Sequence, residues 1–348
     1  MARDPSIIEI GVICDSEESA SVFAQQNGIL SAANNLPANM QQLCALGTNG
    51  CQGIAYDVIL RGTAQIRCNR CKRYKSARNA SAVFCNHQPV AQFTFFAHPD
   101  RHGISRSKLK IRHALTIIYC FSKGISGGLA WELLKGEVSS KETISDWYNY
   151  CREVCLDAIR YAPPIGGPGQ VVQVDESCLR GRRKYNRGRM MAGNTVPPAK
   201  QNYGDQVIGP WVFGMVWKAP DGTQQVRLFR VLRRNTATLR PIVQRHVAPG
   251  SLIISDQWRA YRTIPAWGQY YHRTVNHSQN FIDPVTGANT QRIESHWGNL
   301  KTKILRDMRG TRQHLLQSHL ATYCWREEHK NTPFLDFVRE IRRQFPLA

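Results

Sequence analysis

The chain has 348 residues, 42% of them apolar, with 8 Trp, 12 Tyr and 12 Phe, so it is long enough for two domains and too rich in core formers to be a disordered tail. Its 26 Gly and 17 Pro are ordinary usage and exclude a collagen-like repeat. The charge is unusual: 46 Lys and Arg against 25 Asp and Glu give +21, and because residues 1–60 hold one basic and six acidic residues, +26 falls on residues 61–348. A body this basic is expected to meet a polyanion, nucleic acid first. The best apolar run, residues 114–121, is too short to cross a membrane. The first residues lack the basic start and apolar stretch of a signal peptide. With 11 Cys and no secretion signal, free thiols and a metal site are expected rather than disulfides.

Residues 1–40 are acidic and then Asn/Ala-rich without a clear period, which predicts a poorly ordered or weakly helical arm. Residues 41–98 form a candidate zinc-ribbon-like module. In it Cys68-x-x-Cys71 is a knuckle whose partners are Cys44 and Cys51, with Cys85 and His87 as substitutes. Four thiolates make a tetrahedral Zn²⁺ site that can hold together a module too small for its own core; the alternative is a ribbon without metal. The other six thiols read as buried or incidental. Residues 104–162 are predicted helical, with Ser139-Ser140 able to cap a last helix whose apolar face includes Ile144, Trp147, Cys151 and Cys155. This is a helix-turn-helix DNA-binding domain or a plain helical linker. A Pro/Gly hinge spans 163–169.

The texture then changes to strands. They are predicted at 170–174, 207–217 and 226–232, then at 251–255 and 271–275, with helices at 236–247 and from 289 to about 305 and two more at the end. Hairpin-ordered strands followed by alternating strand and helix predict an α/β fold, a mixed sheet with helices on both faces. Asp175 is placed at the end of VVQV, Asp256 at the end of LIIS, and Glu294 early in QRIESHWGNLK. Each alone reads as a cap or an ion pair. Acidic groups ending two apolar strands are costly to desolvate without a partner, and hard oxygen ligands suit Mg²⁺ or Mn²⁺. Three carboxylates can hold two such ions for in-line phosphodiester chemistry.

The segments VDESCLRGRRKYNRGR, GPWVFGMV, PGSLIISDQWRAY and VNHSQNFIDPVTGANTQRIESHWGNLKTK resemble the catalytic domain of Merlin-type DDE transposases, relatives of bacterial insertion-sequence transposases. The resemblance runs from about Arg67 to Phe345 and is weaker before Gly166. It implies an RNase H-like domain over 168–348 with C-terminal helices. It also implies a metal triad at Asp175, Asp256 and Glu294, the last 38 positions after Asp256. IRCNRCKRYKSAR resembles the second half of the zinc ribbon that such proteins often carry. Arg180, Arg182, Arg183, Lys184, Arg187 and Arg189 follow the first strand with no anion among them, as a phosphate-binding loop does. Lys301 falls on the Glu294 face of its helix, in reach of a DNA backbone. His277 is a candidate neighbour of the site, Glu176 should face away from Asp175, and Trp297 reads as a packing residue.

The function expected is that of a DNA transposase. Such an enzyme binds transposon ends, hydrolyses a phosphodiester to free a 3′-hydroxyl and joins that hydroxyl to target DNA. Two Mg²⁺ or Mn²⁺ ions, Zn²⁺ in the ribbon, double-stranded DNA as partner and a homodimer or higher assembly go with it. A host-adopted DNA-binding protein without transposition and a structure-specific nuclease are the alternatives. The flavour of the VNHSQNFIDPVTGANT segment points to the nucleus.

Overall fold

The computed structural model describes residues 3–33, 51, 53–79, 94–97, 109–179, 210–275, 283 and 287–347. The chain divides into two compact units, Met1–Val154 with His329–Ala348, and Cys155–Glu328. No described helix is long and apolar enough to cross a membrane.

In the first unit, the described residues 3–33 take the helical of the two alternatives that the sequence left open. They contain α1 (Ile7–Ile13) and α2 (Glu17–Gln26), each opened by a serine capping box. The acidic residues there have work elsewhere in the unit. Glu17 accepts from the backbone N–H groups of Ile111 and Arg112 at 2.9 and 3.1 Å, at the start of α3 (Ile111–Ser122), whose own N-cap Lys110 provides no side-chain acceptor. Asp4 accepts from Phe334 and Leu335 N–H at 2.8 and 3.0 Å and pairs with Lys123 at 2.6 Å. Each supplies an acceptor and a negative charge where a helix presents unsatisfied donors. Composition hides this use because the partners lie about a hundred and over three hundred residues away.

Three further helices complete the described helical part. They are α4 (Gly127–Leu133), capped by Ser126, α5 (Lys141–Tyr161), where Ser140 accepts from Thr143 N–H, and a C-terminal helix described below. The division between the units falls within α5. Strands β1 (Ala55–Leu60), β2 (Thr63–Cys68) and β3 (Tyr74–Ser76) form an antiparallel sheet.

The second unit holds a five-stranded mixed sheet and a two-residue parallel pair, β4 (Ile165–Gly166) with β8 (Val247–Ala248). The sheet strands are β5 (Val171–Cys178), β6 (Trp211–Lys218), β7 (Gln224–Val231), β9 (Leu252–Asp256) and β10 (Tyr271–Val275), in spatial order β10-β9-β5-β6-β7. The β5-β6-β7 ladders are antiparallel and the β5-β9-β10 ladders parallel. Helices α6 (Thr236–His246), α7 (Gln291–Lys301), continued by a π turn over Thr302–Asp307, and α8 (Gln313–Glu328) accompany it.

Strand alternation sends the apolar residues to two cores. Val212, Val216, Val226 and Leu228 cluster with Ile293, Trp297 and Leu300 of α7 and with Leu316 and Leu320 of α8. Val172, Val174, Phe213 and Met215 cluster with Leu239 and Val243 of α6 and with Tyr261 and Ile264 of the 3₁₀ segment Arg259–Trp267. This is the mixed α/β arrangement expected.

Two boundaries differ from the sequence reading. β5 runs to Cys178, so Asp175 lies within the strand: its neighbours are polar, but antiparallel pairing with β6 through Cys178↔Trp211 still supplies their backbone partners. The last helix, α9 (Pro333–Gln344), belongs to the first unit rather than to a domain running to residue 348. Its aromatic residues decide that, with Phe334 against Phe23 and Tyr119 and Phe337 against Phe121, at centroid distances of 5.4–5.9 Å.

Asp4→Ala and Glu17→Ala are each expected to lower the stability of the full chain by about 1–3 kcal/mol, the range for losing a charged cap to backbone donors. Urea unfolding of the variants checks this; unchanged midpoints would show the caps to be replaceable by water.

Candidate active site

The site begins with a register. The parallel ladder between β5 and β9 pairs Val171↔Leu252, Val172↔Ile253 and Gln173↔Ile254, and stops there. Asp175 and Asp256 each lie two residues further along. They are equivalent positions on neighbouring strands, on the same face, just past the point where the ladder ends. Each strand continues on its other side, Asp175 opposite Gly214 of β6 and Asp256 opposite Val275 of β10.

Glu294 arrives from α7. Gln173, buried and on the Asp175 face of β5, accepts from the N–H groups of Arg292 and Ile293 at 3.1 and 3.2 Å. Its own amide donates to Asn289 at 3.1 Å. One strand side chain thus holds the start of the helix, and Glu294 is the next residue. Thr290 donates to the Glu294 carboxylate at 2.7 Å, and Trp258 N–H donates to Asp256 Oδ1 at 2.9 Å.

Asp175 is held from the helix as well. The Trp297 indole N–H donates to its Oδ2 at 2.8 Å. The ring reaches the strand because residue 214 has no side chain: a Cβ there would meet the indole edge at 2.6 Å. Burial pushes the Asp175 carboxyl up to about 6; the Trp297 bond and the Glu176 N–H oppose this, and the charges of Asp256 and Glu294 add to the rise. Burial also pushes Glu176 up to about 7. As expected it belongs to the other face of the strand, that of Val172 and Val174.

Asp256 and Glu294 thus stand where their charges act on Asp175. Lys301 lies at the end of α7, half-buried, where the helix passes into the π turn. Arg180, Arg182, Arg183, Lys184, Arg187, Arg189 and His277 lie outside the described residues. Sequence reasoning missed Gln173 and gave Trp297 only a packing role. The available signals were spacings: Gln173 stands two residues before Asp175 in a strand, and Trp297 three after Glu294 in a helix.

A second cluster is made of thiols. Sulfur atoms of Cys51, Cys68 and Cys71 lie within 4.8 Å of one another, with Cys51 Sγ 3.8 Å from Cys68 Sγ. Ile54 and Asn69 lock the two loops together through Asn69 N–H to Ile54 O and Ile54 N–H to Asn69 Oδ1, both 2.9 Å. Gly53 leaves room for the sulfur, since a Cβ there would lie 2.3 Å from Cys68 Sγ. Cys44, Cys85 and His87 lie outside the described residues.

Comparison with known proteins bears on the second unit. Residues 167–328 match the family model of the ISXO2-like transposase domain, a span that holds all three carboxylates. The resemblance to insertion-sequence-type DDE transposases thus holds over these residues. A solved structure, the mariner Mos1 paired end complex with Mg, is similar at 12% identity over 75% of this chain and 86% of that one, with a TM-score of 0.18, too low to carry an argument. No curated protein matches the chain.

Trp297→Phe removes a donor that favours the charged form of Asp175, so the carboxyl is expected to titrate above its present value of about 6. Carboxyl NMR of Asp-labelled protein reads this directly. A titration that stays in place or moves down would show the indole to be only a packing group.

Proposed function

We propose that this chain, with an ISXO2-like transposase domain over residues 167–328, is a DNA transposase whose metal-binding carboxylates are Asp175, Asp256 and Glu294. The observation that carries the reading is the register of β5 and β9, which sets two aspartates side by side beyond the last ladder pair, with α7 docked on the same strand through Gln173. The strand order, three antiparallel strands followed by two parallel ones, supports an RNase H-like reading of the sheet.

The donor set fits divalent ions. Its atoms are hard carboxylate oxygens, and Asp175 is raised by burial and by its anionic neighbours, a penalty that a cation relieves. Asp175, Asp256 and Glu294 would hold Mg²⁺ or Mn²⁺, two such ions in this reading, which would activate a water or 3′-hydroxyl and offset charge on the leaving oxygen. The protein's own part is placement. Trp297 fixes one oxygen of Asp175, Trp258 N–H fixes one of Asp256, and Thr290 orients Glu294. No side-chain nucleophile is needed, since water and then the DNA hydroxyl attack phosphorus in turn. The +26 charge of residues 61–348 serves the DNA backbone, with Arg180, Arg182, Arg183, Lys184, Arg187 and Arg189 following Asp175 in sequence and Lys301 following Glu294. Pairing two ends calls for a dimer or larger assembly. Cys51, Cys68 and Cys71 would hold a soft divalent ion such as Zn²⁺ in a structural role, with Cys44 the fourth thiol that the sequence offers.

The test uses the purified chain, a labelled duplex from the ends flanking its gene, and Mg²⁺ or Mn²⁺. The expected result is 3′-end cleavage and joining by the wild type and none by Asp256→Ala. Cleavage that persists in Asp256→Ala removes the triad assignment. Tight binding with no products from either protein favours the host-adopted DNA-binding protein, and cutting without joining a nuclease.

For the thiol site, one zinc per chain is expected by elemental analysis, lost in Cys68→Ser together with protection of residues 51–79 from proteolysis. A metal-free wild type that is equally protected would leave a ribbon held by its sheet alone.

A further inference from the structure

The edge of the sheet where β5 and β9 end carries an aromatic and cationic stack whose side chains do not touch the carboxylates in any contact given above. Trp211 opens β6, paired with Cys178 of β5 and Val231 of β7. Arg234 follows β7, and Trp258 stands two residues after Asp256. The Arg234 guanidinium lies 3.6 Å from the Trp211 ring centroid and 4.5 Å from that of Trp258. The Trp258 indole N–H donates to the Arg234 carbonyl at 3.1 Å, and its backbone N–H donates to Asp256 Oδ1. The ring is therefore fixed through its edge, its backbone and the guanidinium, yet the residue is 40% exposed. Leu232, 83% exposed, and the exposed Arg233 directly precede Arg234 in sequence, and the exposed Arg259 directly follows Trp258.

A large ring that is held in place yet partly exposed beside several cations offers a face for stacking. Stacking is the contact its face makes best, and the surrounding cations call for an anion beside the stacked group. A nucleotide satisfies both. Duplex DNA does not, because it offers only base edges in its grooves and buries the base faces against each other. The group that fits is a base taken out of the helix.

We infer that Trp258 is a stacking platform for one unpaired base of the DNA strand that is cut at the carboxylates. Arg234 and Trp211 hold the ring, and Arg233 and Arg259 serve the adjoining phosphates. This rests on the transposase reading and adds to it a requirement that the end be opened locally. The backbone bond from Trp258 to Asp256 couples the platform to the triad, so the stacked base sets the position of the phosphate next to it.

The experiment uses the full chain at fixed salt with three duplexes of one sequence: blunt, with a short unpaired 3′ tail, and with the same tail made abasic at its first position. Binding is read by anisotropy and stacking by quenching of 2-aminopurine at that position. The wild type is expected to bind the base-bearing tail about tenfold or more tighter than the abasic one, the scale of one base–aromatic stack. Trp258→Ala is expected to collapse that ratio to about one with loss of quenching, and Trp258→Phe to keep most of it. Equal binding of the two tails by the wild type overturns the inference without reference to any variant, and so does a ratio that survives in Trp258→Ala. Failure to bind any of the three duplexes overturns the DNA reading itself, an outcome distinct from the other two.

Discussion

Two like charges side by side on neighbouring strands are a cost, and much of the second unit is arranged around that cost. The β5-β9 ladder ends at Gln173↔Ile254, and the next equivalent pair on that face is Asp175 and Asp256. Past the last ladder pair the strands no longer hold each other, so each is secured from its outer side, by β6 and by β10. A carboxylate at such a place is costly unless donors meet it or it takes up a proton. The Trp297 indole, the Trp258 backbone and the Thr290 hydroxyl are those donors.

The helix that brings the third carboxylate is placed from both sides. Gln173 satisfies two of its first N–H groups from the strand. On its far side buried His296 accepts from the Gln224 amide at 2.9 Å through Nε2 and meets the Tyr323 hydroxyl at 2.7 Å through Nδ1. Beneath, buried Arg227 of β7 pairs with Glu328 of α8 at 3.1 Å. Polar groups so enclosed are costly unless each finds its partner, and a network of this kind fixes one arrangement of helix on sheet rather than several. Gly214 belongs to the same arrangement, since a larger residue would push the Trp297 ring away from Asp175.

The first unit uses charge differently. Its N-terminal segment is acidic on a strongly basic chain, and Asp4 and Glu17 cap the helices that begin at Pro333 and Ile111. Asp57 accepts from Ala33 N–H in the same way at 3.0 Å. These carboxylates satisfy backbone donors, and Asp4 also pairs with Lys123.

Much of this was legible in the residues. The strands of the second unit, the carboxylates and the cysteine knuckle follow from local pattern, because hydrophobic period, turn residues and ligand chemistry are written in short windows. Ser140 capping the helix after it, and Glu176 facing away from Asp175, are read the same way. Other features rest on contacts between distant segments. The N-terminal residues read as poorly ordered or only weakly helical because the donors that Asp4 and Glu17 satisfy are far along the chain. The last helix looked like part of the catalytic domain until Phe334 and Phe337 were seen against Phe23, Tyr119 and Phe121. Trp297 looked like a packing residue because its bond to Asp175 depends on the absence of a side chain at 214. The sequence by itself determined which groups are able to carry chemistry, since residue type sets what can ligate, stack or titrate. Only the tertiary structure decided which of them meet, because strand register and the docking of a helix on a sheet are long-range choices that no local window contains.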